Sequence, residues 1–86
     1  LYSEPFSQSL VRQILMAIYL SAKNEDAITG KNWLKNELPD YWNNRTRIIE
    51  ILKMIQSLQT TSNTDHWQIS VQYAVYLQSL IESDGI

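Results

Sequence analysis

The fold of this chain depends first on whether residues 41–58, YWNNRTRIIEILKMIQSL, are helical or extended. The isoleucines favour a strand, since branched side chains suit a pleated sheet. However, the segment is long and has no internal turn signal, and its apolar residues recur every three or four positions. We therefore predict one helix over 41–58, with Asp40 as its N-cap. Its inward residues are expected to be Trp42, Ile48, Ile49, Ile51, Leu52, Ile55 and Leu58.

Two further helices are predicted before this segment. Pro39 disfavours helical geometry at Leu38, which predicts a break in the chain there. Asp26 is placed to cap a short helix over 27–37, and apolar periodicity predicts a long helix over 7–23. The inward residues expected in the short helix are Ile28, Lys31 through its stem, Trp33, Leu34 and Leu38. Those expected in the long helix are Leu10, Val11, Ile14, Leu15, Ile18 and Ala22, and Met16, Tyr19 and Leu20 widen its apolar arc.

The last predicted helix, 64–83, is apolar on two sides. One side carries Trp67, Val71, Ala74, Leu77 and Ile81, and the other carries Ile69, Tyr73, Tyr76 and Leu80. The second side is either internal core or a docking face for a partner, and both interpretations stay open.

The predicted fold is all-α: a compact bundle of four helices, three long and one short, with a helix break at Pro39. Trp33 and Trp67 are the residues expected at the centre of its core.

Composition excludes several classes of protein. The 86 residues include no cysteine, and the chain starts at Leu1 instead of a methionine. Small secreted domains usually depend on disulfides, so we predict a single domain over 1–86 that is cut from a larger cytoplasmic protein. The longest apolar run, Ile14 to Leu20, is far shorter than the roughly 20 residues that span a bilayer, and no membrane association is expected.

No arrangement of side chains typical of catalysis or metal binding is recognisable. His66 is the single histidine, and no nucleophile follows it at a characteristic spacing. Gly30-Lys31-Asn32 lacks the upstream glycine and the hydroxyl residue of a phosphate-binding loop. We therefore predict no catalytic, cofactor-binding or metal-binding residues, no cofactor and no enzymatic activity for this chain.

Basic and aromatic residues cluster between positions 31 and 53, although the net charge is −2 and the pI is about 5.2. Proteins that bind DNA tightly without help usually have a basic face and a high pI, so a weak, auxiliary contact is the most that this cluster predicts. The candidate residues for contact with nucleic acid or a partner are Lys31, Lys35, Trp42, Arg45 and Arg47. Packing of the aromatic rings around Pro39 is the favoured alternative.

The run from Gly30 to Trp42, GKNWLKNELPDYW, resembles a segment near the C-terminus of large bacterial DNA methylases. These proteins combine an adenine-specific methyltransferase core with a domain of unknown function. Flanking segments 11–19, 48–52 and 66–67 are also similar, so the resemblance covers about residues 10–84. It implies that the chain is a helical accessory domain of such a DNA methyltransferase.

The catalytic motifs of those methylases are missing here. The chain has no glycine-rich cofactor loop, and Leu38-Pro39-Asp40-Tyr41 has one proline in the wrong position to match their catalytic tetrapeptide. The resemblance therefore implies a non-catalytic domain that positions the catalytic core, a partner or DNA. The alternative hypothesis is a helical protein–protein interaction module unrelated to nucleic acid, which the acidic pI and the wide apolar arc of the last helix favour.

Overall fold

The computed structural model describes residues 8–58 and 65–84, with side chains throughout except at 65–67 and 84. Five helices account for nearly all of these residues, and no strand occurs within the two ranges. The helices are α1 (Gln8–Asn24), α2 (Ala27–Glu37), α3 (Pro39–Trp42), α4 (Thr46–Ser57) and α5 (Asp65–Asp84). The Cα radius of gyration is 12.6 Å, close to the value of about 12 Å expected for a compact chain of this length. The predicted all-α, compact bundle is confirmed.

The predicted helix over 41–58 is wrong in its first third, because the chain turns at residues 43–45. The single turn of α3 starts with Pro39, a residue suited to the first helical position, and α4 begins only at Thr46. Between them, Asn44 Oδ1 accepts hydrogen bonds from the Thr46 backbone N–H (3.3 Å) and hydroxyl (2.8 Å). Such local side-chain bonds compete with helical hydrogen bonding. Asp40 is consequently not the N-cap of a long helix; it lies in the first turn of α3, and Leu38 occupies the cap position.

The turn between α1 and α2 matches the sequence-based prediction. Asp26 is the N-cap of α2, and its Oδ1 accepts a hydrogen bond from the backbone N–H of Ile28 at 3.0 Å. Glu25 adopts a left-handed conformation with φ of 52°, which reverses the chain after α1. The bounds of α2 are those predicted, since Asp26 fixes its start and the residue before Pro39 fixes its end.

The core draws apolar side chains from all five helices. Its buried members are Leu10, Ile14, Ala17, Ile18, Leu34, Leu38, Trp42, Ile48, Ile51, Leu52, Ile55, Ala74, Leu77 and Ile81. Several residues expected to point inward are not buried: Leu15, Ile28 and Leu58 are 46%, 52% and 50% exposed. Trp33, expected at the centre of the core, is only partly buried. The reason for Trp33 is its indole N–H, which donates to Gln13 Oε1 at 3.0 Å near the surface. The side chain of Trp67 lies outside the described residues.

Helix α5 contacts α4, α2 and α1, and α1 also packs closely along α2. A hydrogen bond of 2.7 Å from Gln56 Nε2 to Gln78 Oε1 adds a polar link between α4 and α5. Helices α1 and α2 approach each other closely at the buried Gly30, which faces Ala17 and Ser21 of α1. A side chain at position 30 would occupy the space that these α1 atoms fill.

Ser21 contributes a buried hydroxyl to this helix contact. The residue is fully buried, and its Oγ has no hydrogen-bond partner in the structure. A buried polar group without a partner costs stability, and alanine is the better helix former. We expect Ser21→Ala to raise the free energy of unfolding by about 1 kcal/mol, measured by urea denaturation. Ser79→Ala, at an exposed position of α5, controls for helix propensity. A loss of stability in Ser21→Ala alone would show that the hydroxyl makes a stabilising interaction.

Candidate functional site: an apolar groove along helix α1

The candidate contact residues Trp42 and Arg45 form a pair inside the chain. The Arg45 guanidinium carbon lies 4.4 Å from the centroid of the Trp42 ring, within the range of a cation–π interaction. Trp42 is only 8% exposed and belongs to the core. Its ring is therefore covered, and the interpretation of this aromatic cluster as a packed corner accounts for it.

The remaining basic candidates occupy two different helices. Lys31 and Lys35 lie one turn apart on α2, with Lys31 partly buried and Lys35 exposed. Arg47 is exposed in the first turn of α4, whereas Arg45 lies in the turn before that helix, with its guanidinium over the Trp42 ring. Over the described residues, α2 makes no extensive contact with α4. Contact of these residues with DNA or a partner stays a prediction.

A small polar cavity of about 280 Å³ lies where the turn between α3 and α4 meets the end of α5. It is lined by Asn43, Asn44, Arg45, Thr46, Ile49, Ile81 and Glu82. Asn44 Oδ1 already accepts hydrogen bonds from the backbone N–H and the hydroxyl of Thr46, and the Arg45 guanidinium already lies over the Trp42 ring. These polar groups thus serve the local structure of the turn.

A larger and predominantly apolar groove of about 510 Å³ lies between α1, the last turn of α4 and the first half of α5. Its floor is formed by Ile18 and Ile55, both buried. Its walls carry three large side chains that are exposed: Leu15 (46%), Tyr19 (57%) and Ile69 (43%). Exposed apolar residues that line one concave surface are typical of a binding site, whereas isolated ones are normal on any protein.

The groove continues along α1 towards its N-terminus. A second cavity of about 320 Å³ is lined by Gln8, Val11, Arg12 and Leu15, and Leu15 lines both cavities. Val11, Leu15, Ile18 and Ala22 fall on one face of α1 because they are three or four residues apart. We refer to the two cavities together as the α1 groove. From Val11 to Lys23 it extends for about 18 Å, or three helical turns.

The α1 groove was not predicted from the sequence. Leu15 was expected to point inward, and a docking face was considered only for the last helix. Helix α5 exposes apolar residues, including Ile69, Val75 and Tyr76, and Ile69 lines the groove together with residues of α1. The sequence did indicate a wide apolar arc on the first helix. Met16 and Tyr19 belong to this arc, and both side chains are exposed.

No group of three or more histidine, cysteine, aspartate or glutamate residues in the described part of the chain is arranged to hold a metal ion. None of the helices in these ranges is both long enough and apolar enough to cross a membrane. The side chain of His66, the single histidine of the sequence, lies outside the described residues.

Comparison of the chain with protein-family models, with curated proteins and with solved structures finds no match. The resemblance to bacterial DNA methylases therefore stays a prediction that rests on the residues quoted above.

Proposed function

We propose that this chain is a non-catalytic helical module that docks an apolar helix of another polypeptide in the α1 groove. The observation that carries the proposal is the combination of a buried floor, Ile18 and Ile55, with exposed walls, Leu15, Tyr19 and Ile69. Binding in a groove through residues spaced three and four apart is a common way for a helix to be recognised. Covering the three wall residues would remove apolar area from water, which drives association.

The resemblance to DNA methylases suggests a biological setting for this docking. In that setting the chain is an accessory domain, and the docked helix belongs to the remainder of a cytoplasmic bacterial DNA methyltransferase. Docking would then position the catalytic core relative to a partner subunit or to DNA. A parent gene that encodes no methyltransferase core would contradict the setting while leaving the docking proposal in place.

Direct contact with DNA is the second candidate, favoured by Lys31 and Lys35 at a spacing of one turn on α2 and by the exposed Arg47. Three features support protein docking over this candidate. Trp42 is buried, its face is taken by Arg45, and the pI of about 5.2 is low for a nucleic-acid-binding domain.

The proposal is tested by titrating the chain with an uncharged amphipathic peptide of about three helical turns, followed by backbone-amide NMR. We expect the backbone-amide chemical shifts of Leu15, Tyr19 and Ile69 to change as the peptide is added. Replacing both Leu15 and Tyr19 by glutamine should weaken binding at least tenfold, because each buried apolar side chain contributes about 1.5–3 kcal/mol. Ile28→Gln is the matched control, since Ile28 is equally exposed on α2 and lines neither cavity.

A parallel titration with a short DNA duplex at low and physiological salt separates the two candidates. Shifts confined to residues 31–47 that fade as salt is added would favour the DNA contact. An absence of peptide shifts in the α1 groove would overturn the docking proposal.

A further inference from the structure

The edge of the α1 groove is positively charged, although the chain as a whole is acidic. Helix α1 contains Arg12 and Lys23 and no acidic residue. Arg12 lines one of the two cavities and Lys23 lines the other, and both side chains are exposed. The chain carries a net charge of −2, so this edge differs in sign from the average surface.

The two basic residues lie on the same side of α1. They are eleven residues apart, which at 3.6 residues per turn is close to three complete turns and about 16 Å along the helix axis. Tyr19 lies four residues before Lys23 and thus on the same edge. Arg12, Tyr19 and Lys23 therefore form one edge of the groove, with a positive charge at each end and an exposed aromatic ring between them.

The described residues that line the two cavities include no aspartate or glutamate. No carboxylate among them therefore neutralises the positive charges of Arg12 and Lys23. Two acidic residues, Glu25 and Asp26, directly follow α1 in the sequence. Of these, Asp26 is engaged as the N-cap of α2, and Glu25 is exposed in the turn beyond the groove. Among the described residues that line the two cavities, the charged ones are therefore Arg12 and Lys23.

We infer that the α1 groove is an interaction site for an acidic amphipathic helix that carries two carboxylates about three turns apart, flanking its apolar face. The inference rests on the proposed docking function and specifies the chemistry of the docked helix. Apolar contacts with Leu15, Tyr19 and Ile69 supply most of the affinity. The carboxylates pair with Arg12 and Lys23 and select the direction and register of the helix, since exposed ion pairs affect specificity and association rate more than affinity.

The test compares three peptides of identical apolar face that carry two glutamates, two glutamines or two lysines at the flanking positions. Binding is measured by fluorescence anisotropy of a labelled peptide. At low salt we expect the acidic peptide to bind about three- to tenfold more tightly than the neutral one, the sum of two exposed ion pairs, and the basic peptide to bind least. The difference should shrink at high salt because exposed charges are screened.

Charge reversal in the protein provides the second arm. Combining Arg12→Glu with Lys23→Glu should invert the order of the acidic and basic peptides. Lys35→Glu, a reversal on α2 outside both cavities, should leave the order as it is in the unmodified chain. A helical circular dichroism spectrum and a melting temperature close to those of the unmodified chain would show that the double variant is folded.

Each remaining outcome separates this inference from the docking function. Equal binding of the acidic and neutral peptides, or preference for the basic one, would overturn the acidic partner while docking stands. Failure of all three peptides to bind would overturn both. Concentration-dependent self-association, measured by sedimentation and abolished by the Leu15 and Tyr19 replacements, would identify a second copy as the occupant and contradict the acidic helix.

Discussion

Gly30→Ala is expected to lower the free energy of unfolding by about 2–3 kcal/mol, at the upper end of what an overpacked site costs. An added Cβ would lie 2.5 Å from the Ala17 carbonyl oxygen and 3.0 Å from Leu77 Cδ2, and it would overlap Ser21 Oγ. Because the carbonyl belongs to the backbone of α1, no side-chain rotation relieves the clash, and α1 and α2 must move apart. In an exposed helix, replacing glycine by alanine would stabilise the protein by up to ~1 kcal/mol. The effect predicted for Gly30→Ala is therefore opposite in sign to the effect expected from helix propensity alone.

Thermal and urea denaturation measure this effect, and the melting temperature is expected to fall by roughly 10 °C or more. Asn32→Ala serves as the control, since Asn32 is exposed on the same helix. This substitution should leave the free energy of unfolding unchanged or raise it slightly. Adding Ser21→Ala to the Gly30 variant should restore only part of the stability, because the Ala17 carbonyl remains in the way. A melting temperature for Gly30→Ala at or above that of the unmodified chain would show that α1 and α2 do not meet at this glycine.

Trp42→Ala is expected to cost about 3–5 kcal/mol, the usual range for truncating a large buried aromatic side chain. The Trp42 ring is 8% exposed, packs in the core at the corner made by α3, and carries the Arg45 guanidinium at 4.4 Å. Truncation would therefore open a large cavity and remove a cation–π interaction. Domains are stable by only about 5–15 kcal/mol, so the variant should be largely unfolded at moderate urea concentrations.

Trp33→Ala provides the comparison for Trp42. Trp33 is partly buried and donates one hydrogen bond, to Gln13, so its truncation should cost only about 1–2 kcal/mol from lost packing and one net hydrogen bond. Urea denaturation of the two variants decides between the structure and the sequence-based prediction. A larger loss for Trp33→Ala than for Trp42→Ala would restore Trp33 to the centre of the core.

Local signals in the sequence were sufficient for the helical class and for most helix bounds. The bounds of α2 followed from Asp26 and Pro39, whose effects reach only the residues beside them. The split of the predicted helix over 41–58 was missed for a related reason. Residues 43–47, between Trp42 and Ile48, are all polar, so the apolar pattern says nothing about their conformation. The competing hydrogen bonds between Asn44 and Thr46 leave no trace in a pattern of apolar residues.

The candidate site was less accessible to sequence reasoning than the helices. Periodicity identifies an apolar face of α1, but it does not say which residues of that face a neighbouring helix covers. Ile14 and Ile18 are buried, whereas Leu15 and Tyr19 on the same helix are exposed. This difference arises only when α4 and α5 are placed beside α1.

Residue type and spacing along the chain therefore determine its all-α class, the capping of α2, the absence of cysteine chemistry and the apolar breadth of α1. The arrangement of the helices in space determines that Trp42 and not Trp33 is a core residue, that Gly30 lies against α1, and that Leu15 and Tyr19 line a groove with Ile69. The reason is physical: capping and helix propensity act over one turn of backbone, whereas burial depends on residues up to several tens of positions away, which meet only in the folded bundle.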